Sequence, residues 1–185
     1  HLLYDISETM FSDAENPCEY QYGLTGTFSL MIGFAIGLPP LWNIQTGESG
    51  VGIFGLMDQG SNNGLGVIPA PPTAWTRLFA GWEEVEDVFF DSEVELPSRS
   101  LNNLVKVNIN ESEYFLIENR DNSIREGISL DSMRFIMYEE NDEDEYPLLI
   151  NVLQDSVGLR KDANGVIVAV PNYDIGLPAS GLLIW

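Results

Sequence analysis

GTFSLMIGFAIGLPPLWN, residues 26–43, is apolar on nearly every side and stops abruptly. Its composition predicts a helix over residues 27–37. Thr25 or Thr27 can cap the start, because a hydroxyl there accepts a free first-turn amide. Gly37 stands where a helix needs a left-handed residue to end, and Pro39 and Pro40 prevent another turn. The apolar run from Leu30 to Trp42 is too short to span a bilayer and is broken by those two prolines, so membrane insertion is not expected.

This helix sits in a very acidic chain. The 185 residues carry 8 basic and 29 acidic side chains, a formal net charge of -21. Nucleic acid is held by Lys and Arg against phosphates, so it is a poor partner for this chain and none is expected; an anionic membrane surface is poor for the same reason. With 44% apolar residues the chain can form one compact domain, burying roughly 70% of its unfolded surface. Cys18 is the single cysteine and His1 the single histidine. No internal disulfide can form, and a metal site or a nucleophile–histidine pair built on those two is not expected. The chain opens on His1 rather than Met and closes on SGLLIW, which reads as a strand. It is therefore expected to be an internal piece of a longer protein, with neighbouring domains on the same chain.

Downstream, residues 43–72 are rich in Gly, Asn and Pro but hold apolar anchors at Phe54, Leu56, Met57, Val67 and Ile68. A long, anchored loop of this kind is usually functional in origin. TAWTRLFAGW reads as a short helix capped by Thr73 and ended by Gly81. Ala74, Trp75, Leu78, Phe79 and Trp82 are expected on its core face. The period then changes to two. LVKVNI and EYFLIENR read as paired strands joined at NES, MRFIMY as a strand, VGLR and GVIVAV as a hairpin about DANG, and GLLIW as a last strand. Helices early and strands late predict an α+β fold.

Five segments in order, FSLMIGFAIGLPPLWN, GIFGLMDQG, PTAWTRLFAGW, EYFLIENR and GLPASGLLIW, resemble the immune inhibitor A family of secreted bacterial zinc metalloproteases. The resemblance covers residues 23–120 and 172–185, leaving 121–171 as a β-rich insertion or diverged region. It implies the C-terminal part of a zincin-like catalytic domain: a core over residues 1–120, a β-rich tail, and a closing strand within 172–185. It also implies export to the medium or the cell surface.

The family's helix carries HExxHxxGLP. Aligned on Gly33, Gly37, Leu38 and Pro39, the first zinc histidine falls on Leu30, the general-base glutamate on Met31 and the second histidine on Phe34. A third ligand placed as in related zinc proteases falls on Pro40. The chemistry needs two imidazoles one turn apart and a carboxylate to take a proton from metal-bound water. Leu30 and Phe34 keep the spacing but offer no lone pair, and the Met31 thioether accepts no proton. The expectation is a non-catalytic relative that keeps the frame and has lost the metal: no catalytic residues, no zinc and no cofactor.

Such a protein would act as a structural module, or bind peptide or protein segments in the old cleft. Met57 is the candidate floor of that cleft, and Asp58, Asn62 and Asn63 are candidate contacts, although Asp and Asn in such loops more often bond the local backbone. One alternative is an active metallopeptidase whose ligands lie outside these residues. Another is a calcium-dependent structural or carbohydrate-binding module, with Asp142, Asp144 and Glu145 in EENDEDE as the calcium candidates. That run lacks the spacing of a dedicated calcium loop, and a solvated acidic turn is the plainer expectation.

Overall fold

A computed structural model describes residues 23–88, 92–98, 103–125, 127–141, 160–163, 167–169 and 172–185. The architecture is mixed α/β, with a small mixed sheet and few helices. Helix α1 spans Thr25–Ala35. Its stop follows the sequence closely. The Leu38 amide donates to Gly33 O (2.9 Å) and the Gly37 amide to Phe34 O (3.0 Å), with Gly37 at φ +93. This is the paired-bond glycine stop in which a left-handed residue turns the chain back over its last carbonyls. The start differs from the expectation at Thr25 and Thr27. Leu24 is the cap residue and no side chain caps the helix. The Gly23 amide instead donates to Leu65 O across the loop (2.7 Å), so tertiary contact fixes the entry.

Residues 43–72 form an ordered loop containing two 3-10 segments, Gly52–Phe54 and Gln59–Gly66. It lies directly beneath α1. Helix residues Gly26 and Gly33 are buried, and each lets backbone or side chain approach too closely for a Cβ. A Cβ on Gly26 would lie 1.7 Å from Ser61 O, and one on Gly33 2.6 Å from Met57 Sδ. Gly26→Ala therefore forces backbone apart, whereas Gly33→Ala meets a flexible thioether. The expected costs are about 2–3 kcal/mol for the first and clearly less for the second, read from urea midpoints. Equal costs would show that the helix does not rest on the loop at Gly26.

Helix α2 spans Ala74–Phe79. Thr73 caps it as expected, its Oγ1 accepting from the Thr76 amide (3.2 Å). Gly81 ends it at φ +69, with the Trp82 amide donating to Arg77 O and the Gly81 amide to Leu78 O. The expected core face needs correction. Ala74 is buried and Trp75 and Leu78 partly so, but Phe79 and Trp82 are 57% and 51% exposed. The buried positions are instead Thr76 and Arg77. The reason is electrostatic: Arg77 reaches inward to two carboxylates, which rotates the polar side of the helix toward the interior.

The main sheet contains β1 (Val85–Val88), β2 (Leu104–Asn108) and β3 (Tyr114–Arg120). The final strand Gly181–Ile184, β8 in chain order, completes it in the order β1-β2-β3-β8. β1 and β2 are parallel, and the other two pairs are antiparallel. The β2–β3 pairing is the one expected at NES. Asn110 Oδ1 organises that turn by accepting from the Ser112 and Glu113 amides. Alternation along β3 sends Leu116, Glu118 and Arg120 to the buried face.

Between β3 and β8 lie two short pairs, β4 (Ser123–Arg125) with β5 (Ile128–Ser129), and β6 (Arg160–Lys161) with β7 (Ile167–Ala169). The second pair is the hairpin expected about DANG. Helix α3 spans Leu130–Asn141. It replaces the strand expected at MRFIMY and breaks the order of helices first and strands last. Ser129 Oγ accepts from the Ser132 amide (3.1 Å), which starts the helix. Leu130, Met133 and Met137 then recur at helical spacing and pack with Ile124 and Ile175. No helix among the described residues is long and apolar enough to cross a membrane.

Candidate functional site

Leu30 and Phe34, the positions that the resemblance aligns with zinc histidines, lie on α1. One helical turn apart, both pack against a buried cluster of Leu38, Leu56 and Met57. Met57 is 0% exposed and sits under Gly33. Phe34 also meets Trp42 edge to face, with centroids 5.7 Å apart and planes at 79°. Met31 is 57% exposed on another side of the helix. Pro40 is half-buried in the following turn, beside Leu41, whose amide donates to Met57 O (2.9 Å). These four side chains do not fit a zinc ion: none is an imidazole, carboxylate or thiolate. Among the described residues no group of three or more His, Cys, Asp or Glu could hold a metal. His1, Cys18, Asp142, Asp144 and Glu145 lie outside the described residues.

Asp58 follows Met57 and is 4% exposed. Its Oδ2 accepts from the amides of Gly50, Val51 and Gly52 and from Ser49 Oγ, all at 2.8–2.9 Å. Oδ1 accepts from the Gln59 amide (2.9 Å). The carboxylate thus gathers the glycine-rich turn at 49–52 and ties it to the floor under α1. Burial pushes its pKa up, but the bonds from the Val51 amide, Ser49 hydroxyl, Gly52 amide and Gly50 amide together outweigh burial and hold it below the usual aspartate range. Asn62 is exposed. Asn63 Nδ2 donates to Ile53 O and to Gly176 O, both at 2.7 Å. It also lines a pocket of about 190 Å³ with Asn122, Ser129, Asp131 and Leu177. The four expected cleft residues therefore divide. Met57 and Asp58 serve the loop and core, Asn63 bridges two loops beside a pocket, and Asn62 faces solvent.

A second polar centre is not legible in the sequence. Arg77 Nε pairs with Glu83 Oε2 (2.9 Å), and Arg77 Nη2 bonds Glu118 Oε2. Arg120 Nη1 lies 3.3 Å from the same Glu118 oxygen and 2.9 Å from the Tyr173 hydroxyl. Arg120 Nη2 lies 2.9 Å from Asp174 Oδ1, near enough for an ion pair though not aligned as a hydrogen bond. The Trp185 indole N–H donates to Glu118 Oε1 (2.9 Å). All five charged side chains are buried. Burial pushes the Asp174 carboxyl above its usual range against the pull of Arg120. Its folded pKa being raised, protonation as pH falls through that value favours the fold, and loss of the proton as pH rises disfavours it.

This network joins α2, β3, the 3-10 turn Tyr173–Gly176 and the residue after β8. Its sequence signals are an arginine in the mostly apolar AWTRLF and the alternation in YFLIENR that puts Glu118 and Arg120 on the face of Leu116.

Comparison with protein-family models, with curated proteins and with solved structures finds no match for this chain.

Proposed function

We propose that this chain is a non-catalytic relative of the secreted zinc metalloproteases of the immune inhibitor A type. On this reading it keeps a zincin-like frame around α1 and serves as a structural or peptide-binding module of a larger exported or surface-held protein. The observation that carries the reading is the pair Leu30 and Phe34. On the aligned motif they stand at the two positions, one turn apart, that the metal would require, and both are partly buried and pack on the apolar cluster of Leu38, Leu56 and Met57. Replacing a buried polar cluster with apolar side chains of similar volume is often neutral or stabilising, so a protein relieved of catalysis can make that exchange. The glycine stop at Gly37 and the methionine beneath Gly33 support the same reading.

The test is elemental analysis of the protein purified without chelator, with a general protease assay on the same sample. Sub-stoichiometric zinc and no chelator-sensitive cleavage are expected. Near-stoichiometric zinc with cleavage abolished by chelator would overturn the proposal and point to ligands outside Leu30, Met31, Phe34 and Pro40.

A further inference from the structure

We propose that the cleft between α2 and the β2–β3 turn binds a lysine or arginine side chain of a positively charged, extended peptide segment. The cleft is an open cavity of about 510 Å³. Its walls are Trp75 from α2, Tyr114 from β3 and Trp185 beyond β8, with Ser112 and Glu113 at the turn. Aromatic faces attract cations through the negative potential above the ring, and tryptophan does so most strongly. The fold already contains one instance. Lys106 Nζ lies 4.9 Å from the Tyr114 ring centroid and 3.5 Å from Asp87 Oδ1, so one face of Tyr114 already carries an ammonium of this chain and the incoming cation is left to Trp75, Trp185 and Glu113.

Two of the walls are held by neighbouring side chains. Trp75 stacks on Phe79, with centroids 5.1 Å apart and planes at 19°. The Trp185 indole is fixed by Glu118, itself held by Arg77 and Arg120. Walls held before binding lose little freedom on binding.

Charge selects the occupant. Glu113 is exposed at the mouth; Asn110 Nδ2 donates to its Oε2, and its Oε1 has no partner among the described residues. The whole chain carries -21, which draws cations and repels acidic peptides. The cleft is distinct from the α1 cluster around Met57, so a failure here and a failure of the metal-loss reading show up in different experiments.

The test is fluorescence anisotropy with a labelled peptide of alternating lysine and glycine, titrated with the 185-residue protein. Saturable binding is expected, and acetylating the lysines should abolish it. Glu113→Gln should weaken it about five- to ten-fold. Glu139→Gln removes the same charge from an exposed position on α3 and should leave binding within about two-fold. Trp75→Leu removes the ring but keeps an apolar side chain and should weaken binding; if that variant does not fold, the two glutamate variants decide. Absence of binding, equal effects of the two glutamate variants, or undiminished binding by the acetylated peptide would each overturn the proposal.

Discussion

Glu118→Ala is expected to destabilise the fold by about 3–5 kcal/mol, a large share of a typical domain's total stability. Glu118 is the hinge of the buried charge network: one oxygen meets both Arg77 and Arg120, and the other accepts the Trp185 indole N–H. Its removal leaves two buried guanidiniums whose carboxylate partners among the described residues are Glu83 and Asp174. The cost comes from the stranded cations rather than from the net worth of the pairs, which desolvation makes small. Urea denaturation of wild type and variant measures it directly. A loss below about 1 kcal/mol would mean that water reaches Arg77 and Arg120, contrary to their burial.

Asp58→Ala should cost about 3–4 kcal/mol, because hydrogen bonds to a charged acceptor contribute about 1.5–3 kcal/mol each and are partly redundant at one oxygen. Three loop amides, the Gln59 amide and the Ser49 hydroxyl lose their acceptor together. Asp58→Asn keeps one acceptor oxygen and should cost less. The pH dependence follows from the depressed carboxyl. A folded pKa below the unfolded value of about 3.9 gives stability that is complete above that value and lost as pH falls through the folded one. Melting temperature should therefore drop more steeply below about pH 4 in wild type than in Asp58→Asn. Parallel acid profiles would show that the carboxylate does not hold the loop.

What the sequence made legible is local. α1 and α2 end where Gly37 and Gly81 stand, because a glycine followed by an apolar residue satisfies the last carbonyls with no help from elsewhere. The β2–β3 hairpin was legible for the same reason, its turn being organised by Asn110. MRFIMY was misread because β-favouring residues in a short window fit both periods. The wider window that includes Ser129 and Leu130 favours a helix. The role of Asp58 was not legible, since its partners come from a loop that folds back onto it. The ion network was hidden more thoroughly. Arg77, Glu83, Glu118, Arg120 and Asp174 are scattered along the chain, and the local marks of an inward position are the apolar neighbours of Arg77 in AWTRLF and the period of two that puts Glu118 and Arg120 on the face of Leu116.

The adjacency of β3 and β8 has a consequence for folding rate. Ile117 pairs with Ile184 and Arg120 with Gly181, so the last strand docks only after the intervening chain has closed a long loop. Closing such a loop is slow, because its entropy is lost before any contact forms in return. Yet that entropy grows only logarithmically, about 0.6 kcal/mol for each doubling of length. Added length at an exposed turn within the segment between β3 and β8 therefore costs little, whereas trimming that reaches Ile124, Leu130, Tyr173, Asp174 or Ile175 removes partners of the core and of the ion network.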